Sequence, residues 1–130
     1  MRMEREEPLD GQALKGRTGI SRLIYAVSHS LDGIKAALMG EAAFRQLVCL
    51  SLVLIPAAFL APVTKVERAV MIAVVMVALI VELLNSAIEA AIDRISYDIH
   101  PLSKRAKDMG SAAQFVALAM VALVWLMILL

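Results

Sequence analysis

At 130 residues the chain is long enough for one compact unit, and its 61% hydrophobic and 19% charged residues depart far from the roughly 45–50% apolar share of soluble domains. Thirteen Lys and Arg against twelve Asp and Glu leave a net charge of +1, so no electrostatic excess points to nucleic acid as a partner. A single cysteine, Cys49, excludes an internal disulfide, and with two histidines it falls short of a structural zinc site; the apolar excess is expected to face lipid.

Residues 1–17, with Glu4, Arg5, Glu6, Glu7, Pro8, Asp10 and Gly11, have no apolar period and read as a mobile tail. At its end GQALKGRT (11–18) has the glycine spacing of a phosphate-binding loop. Arg17 stands where the Lys belongs and no strand precedes it, so the match is chance. Over 18–40, Ile20, Leu23, Ile24, Val27, Leu31, Ile34 and Leu38 recur at spacings of three and four, with Arg22, Ser28, His29, Asp32 and Lys35 elsewhere on the wheel. That pattern predicts an amphipathic helix lying in the membrane interface. No cleaved secretory signal is expected, because the first strongly apolar run begins only after residue 45.

Three membrane spans follow, predicted at 42–62, 67–95 and 108–130. Residues 46–64 and 109–130 carry no charge over 19 and 22 positions, and 69–92 are apolar apart from Glu82, Asn85, Ser86 and Glu89; about 20 helical residues cross a bilayer core. Seven basic residues precede the first span and four (Arg94, Lys104, Arg105, Lys107) lie between the second and third, against only Lys65 and Arg68 in the first turn. Basic residues stay on the cytoplasmic side, which puts the amino terminus and a loop over 96–107 in the cytoplasm and the carboxyl terminus outside. The fold expected is an all-α multi-pass membrane protein: three transmembrane helices plus an amino-terminal amphipathic surface helix.

The chemically informative stretch is VELLNSAIEAAIDRI (81–95). At 100° per residue Asn85, Glu89 and Asp93 fall about 60°, 20° and 20° from Glu82, so the four share one stripe, with Glu82 and Glu89 about 10 Å apart along the axis. Ionised acids at mid-membrane are unfavourable by roughly 2.5–3.5 kcal/mol each, and two of them on one face repel unless a cation or proton intervenes. An amide and a hydroxyl alone would suit helix–helix adhesion; paired carboxylates point to function. Glu41, in EAAFRQ (41–46), can approach the stripe from the cytoplasmic side and share a divalent ion with one of its glutamates. Lys104, Arg105 and Lys107 beside Asp108 form a cationic cluster at the mouth of the same acidic region, although anchoring alone accounts for Lys104 and Arg105. Acid, amide and lysine groups facing one another at the interface suggest metal-assisted handling of a phosphate. A small oligomeric channel or proton-coupled carrier is the alternative, and a purely structural subunit a third. Against conduction, residues 69–80 and the third span after Gln114 offer no polar path outward.

EAAFRQ (41–46), VELLNSAIEAAIDRI (81–95) and RAKDMGSAA (105–113), in this order and without gaps, resemble the small prokaryotic integral-membrane diacylglycerol kinases. The resemblance runs from Gly19 to the carboxyl terminus and departs from the family in the surface helix, where SHSLDG (28–33) replaces the more usual GYSWKG. It implies a homotrimer in the bacterial inner membrane that phosphorylates diacylglycerol with MgATP to give phosphatidate, recycling diacylglycerol for phospholipid synthesis. Related shorter enzymes phosphorylate undecaprenol, which is the alternative substrate. By resemblance Glu82 is the base that takes the lipid hydroxyl proton, and Glu41 and Glu89 hold Mg2+. Arg22, His29, Glu41, Glu89, Asp98, Ile99, His100, Lys107 and Asp108 surround ATP, and Arg22, Gln46, Glu82, Asn85 and Ser111 line the lipid and phosphate region. The depths of the two glutamates agree with this division, since Glu82 lies deeper in the bilayer, where an apolar lipid offers its hydroxyl.

Overall fold

The computed structural model describes residues 19–130. The tail expected over 1–17 and the loop-like GQALKGRT stretch lie outside the described residues. Among the described residues there are four helices: α1 (Gly19–Gly40), α2 (Ala42–Leu60), α3 (Lys65–Ile95) and α4 (Pro101–Leu129). The last three are long and apolar enough to cross a membrane.

Two compact units meet in sequence at Gly33. In the first, described from Gly19, α1 exposes Ile20, Leu23, Ile24, Val27 and Leu31, the apolar positions of its amphipathic repeat. The rings of Tyr25 and His29 lie 6.4 Å apart, one turn from each other.

In the second unit, Ile34–Leu130, α3 packs against both α2 and α4. The short connections over 61–64 and 96–100 make successive helices antiparallel. Leu47, Ala78 and Ala117, one from each helix, form a buried cluster with Leu79, Val81 and Val121 against it. Ala58 and Ala78 are fully buried: where lipid removes the usual hydrophobic drive, small side chains let backbones approach closely and gain dispersion contacts. The Trp125 indole N–H donates to the Met71 carbonyl at 3.1 Å, pinning α4 to the amino-terminal half of α3.

The helix ends explain where each element stops. Thr64 caps α3, its hydroxyl oxygen accepting the Glu67 N–H at 3.2 Å, while Glu67 reaches back to that hydroxyl at 3.1 Å. Arg68 folds back over the end of α2 and donates to the carbonyls of Ala58 (2.9 Å), Ala61 (3.0 Å) and Val63 (3.5 Å). Between α1 and α2 only Glu41 leaves the helical conformation (φ −120°, ψ 108°).

The loop expected over 96–107 is shorter than its charges suggested. The imidazole Nδ1 of His100 accepts the Leu102 N–H at 3.1 Å, and Pro101 occupies the first helical position, so α4 begins at Pro101, not at 108. Lys104, Arg105 and Lys107 therefore stand on helix, ahead of the uncharged run that crosses the membrane.

Candidate active site

The polar stripe of α3 is graded along its length. Glu82, Asn85 and Ser86 are buried, at 5%, 8% and 8% exposure, whereas one and two turns further toward the loop Glu89 and Asp93 are half-buried. A buried carboxylate and amide, followed along the helix by partly open carboxylates, give the stripe a dry end and a wet end.

Antiparallel packing decides what meets the stripe from α4. Gly110 lies opposite Asn85 so closely that a β-carbon there would overlap Asn85 Oδ1 and stand 3.3 Å from its Cγ. Among the described residues, Asn85 Oδ1, Ser86 Oγ and, one turn beyond Gly110, Gln114 Oε1 are buried without a hydrogen-bond partner. Such atoms are expensive to leave unsatisfied, and their gathering at the dry end equips it to receive a donor such as a hydroxyl. Neither Gly110 nor Gln114 stands out in the sequence; only the α3–α4 register reveals them.

At the wet end Lys107 Nζ donates to Asp93 at 2.7 Å and lies within Coulombic reach of Glu89. One turn away on α4, Lys104 pairs with Asp108 at 2.5 Å. Asp93, Lys104, Lys107 and Asp108 border a hollow of about 330 Å³, lined also by Ile92, Ser96, Tyr97, Asp98, Ile99 and Ser103. Asp98, Ile99, Lys107 and Asp108, four positions expected around a nucleotide, thus share one concavity. His100 is committed differently, its ring capping α4.

Glu82 lies within Coulombic reach of both Glu89 and Glu41, so the junction of α1 and α2 brings its carboxylate to the same region as the stripe. Among the described residues no three His, Cys, Asp or Glu side chains converge into a metal cage. Glu41 and Glu89 carry hard carboxylate oxygens, the donor type that Mg2+ takes together with waters and substrate phosphates. Gln46 and Ser111 are exposed. Arg22 and His29 belong to the unit ending at Gly33.

Comparison with known proteins bears on what this arrangement serves. The chain is 64% identical over 116 residues to a diacylglycerol kinase of Pseudomonas aeruginosa, covering 89% of this chain and 94% of that protein. It is 46% identical over 108 residues to one of Haemophilus influenzae (83% and 92% covered) and 45% identical over 112 residues to one of Escherichia coli (86% and 92% covered). The family model for prokaryotic diacylglycerol kinase matches residues 28–129, which take in all three motifs, the graded stripe and the helix that faces it. The chain belongs to the prokaryotic diacylglycerol kinase family.

Proposed function

We propose that this membrane diacylglycerol kinase transfers the terminal phosphate of ATP to the free hydroxyl of diacylglycerol at the cytoplasmic end of α3, giving phosphatidate and ADP. The observation that carries this reading is the graded stripe: a buried carboxylate and amide at lipid depth, continued by half-buried acids beside a lysine at the surface.

Each residue has a task set by its depth. Glu82, at the dry end, accepts the proton of the lipid hydroxyl as its oxygen attacks the terminal phosphorus and the bond to ADP breaks. Asn85, buried one turn from Glu82, orients that hydroxyl, and Gln46 and Ser111 border the lipid and phosphate path. Glu41 and Glu89 hold Mg2+, which when bound neutralises phosphate oxygens and the charge that develops on the leaving group. Lys107, Asp108 and the loop residues Asp98, Ile99 and His100 contact the nucleotide, with Arg22 and His29 completing its surroundings. For Lys107 that means leaving or sharing Asp93.

The chain works as a homotrimer in the bacterial inner membrane, with the amino terminus and residues 96–100 in the cytoplasm and the carboxyl terminus on the periplasmic side. Gln46 and Ser111, exposed on one chain, become walls of a site shared between subunits. A triphosphate and a lipid headgroup together need more enclosure than three spans supply. Its product returns diacylglycerol to phospholipid synthesis.

Transfer of labelled terminal phosphate from ATP to diacylglycerol and, in parallel, to undecaprenol at matched surface concentration in mixed micelles tests the reading. Faster labelling of diacylglycerol, dependent on Mg2+, is expected. A clear preference for undecaprenol overturns the substrate, and ATP consumption indifferent to added lipid overturns the reaction.

A further inference from the structure

We propose that Arg45 is a positioning residue for Glu41: its guanidinium closes the broken end of α1, fixes the helix break at Glu41 and so holds that carboxylate, which caps nothing, free for the divalent cation that accompanies ATP. The proposal rests on the reading of Glu41 as a cation ligand given above.

A break between two helices orphans carbonyls on one side and N–H groups on the other. Here the Glu41 N–H still reaches the Ala37 carbonyl at 2.9 Å, and the Arg45 N–H reaches the Glu41 carbonyl at 3.2 Å. The carbonyls of Leu38 and Met39 are left at the end of α1. Across the break, at the start of α2, the orphans are N–H groups, and their usual remedy is a short Ser, Thr, Asp or Asn side chain whose oxygen accepts from one of them and is tied up in doing so. Glu41 occupies that cap position and makes no side-chain capping bond.

Arg45 supplies the closure from one turn into α2. Its Nη1 donates to Leu38 O at 2.9 Å and to Met39 O at 3.1 Å, so one nitrogen bridges from the first turn of α2 back to the last turn of α1. Neither of the ion pairs among the described residues involves Arg45, and its side-chain hydrogen bonds among them go to these two backbone carbonyls. Drawing α1 and α2 into one continuous helix would displace these bonds and return Glu41 to an ordinary helical backbone, with its carboxylate redirected. At the amino-terminal end of α2, by contrast, the carboxylate sits where the helix dipole favours negative charge.

Removing Arg45 has opposite consequences under positioning and under simple electrostatics. Losing a cation one turn from a cation site should tighten metal binding if charge alone mattered; losing the support of a ligand should weaken it, typically by roughly 10- to 100-fold. The test uses the full chain in micelles with Mn2+ and a non-hydrolysable ATP analogue, bound Mn2+ being read by electron paramagnetic resonance and helix content by circular dichroism. Arg45→Gln is expected to weaken Mn2+ binding at least roughly tenfold with helix content retained, and Arg45→Lys, which keeps a donor of the same charge, less. The apparent Mg2+ requirement for turnover should rise in parallel. Should Arg45→Gln lose helix, the same change is made beside Gly40→Ala, whose added β-carbon meets open space and favours helix; binding weaker than in Gly40→Ala alone is then expected. Unchanged or tighter Mn2+ binding in a folded Arg45→Gln protein, with binding lost in Glu41→Gln, overturns the role of Arg45. Normal Mn2+ binding in Glu41→Gln overturns the reading of Glu41 and this proposal with it.

Discussion

Replacing Gly110 by alanine probes the contact that seats Asn85. The new β-carbon would overlap Asn85 Oδ1 and stand 3.3 Å from Cγ and 3.9 Å from Cβ, so the carboxamide must turn away or α4 must withdraw from α3. Overpacking of this kind costs about 1–3 kcal/mol. If that energy is borne by the orientation of Asn85 during phosphoryl transfer, turnover falls by roughly 5- to 150-fold, since about 1.36 kcal/mol corresponds to a factor of ten. Alanine also favours helix over glycine by about 1 kcal/mol, so overall stability need not fall with activity, and unfolding in denaturing detergent separates the two. The assay is phosphate transfer to diacylglycerol in mixed micelles by wild type, Gly110→Ala, Asn85→Ala and the double variant. Once Asn85 is truncated the clash disappears, so the double variant should be no slower than Asn85→Ala alone. A wild-type rate for Gly110→Ala, or losses that multiply in the double variant, would refute the assignment of Gly110 as the seat of Asn85.

Glu82→Gln should lower turnover by roughly 10²–10⁴-fold, the usual loss for a general base, with little change in the KM for ATP; steady-state kinetics at varied ATP and lipid will show whether the two effects separate. Mixed oligomers of Glu41→Gln and Glu89→Gln subunits should recover part of the activity that each lacks alone if the two carboxylates meet across a subunit boundary, whereas complete failure to complement would put the site within one chain. A cysteine placed at Lys104 should resist impermeant thiol reagents added outside intact cells and react after the inner membrane is opened; labelling from outside would reverse the orientation drawn from the basic residues.

The spans were legible because lipid imposes a coarse rule: enough uncharged residues in a row must be helix. The stripe was legible because Glu82, Asn85, Glu89 and Asp93 repeat with the helical period, so their common face needed no partner helix to be seen. Beyond one helix, legibility falls. The first turns of α4 were read as loop because Lys104, Arg105 and Lys107 mask a start signal, His100 with Pro101, that was there to be found. That Gly110 meets Asn85, or that Lys107 meets Asp93 across 14 positions, depends on how far one helix slides along another. That offset is set by small residues such as Ala78 and Ala117, which look unremarkable in a chain this apolar. The reach of Arg45 to Leu38 and Met39 was hidden for a different reason, because its acceptors are backbone carbonyls and carry no residue signature.

The turn between α2 and α3 bears on how the protein enters its membrane. Carbonyls at the end of a helix are several kcal/mol less stable in hydrocarbon than in water unless something bonds them. Arg68 supplies donors to the last carbonyls of α2 and to the turn, and Thr64 with Glu67 ties the first turn of α3, so the backbone polarity of the bend is satisfied within the hairpin itself. A hairpin prepared in this way can be delivered across the bilayer as one piece, its two helices already side by side, without waiting for α4 to solvate its tip. Pairing of α2 with α3 then needs no further partner at the bend, and α4 can dock onto a face of α3 that the hairpin already presents.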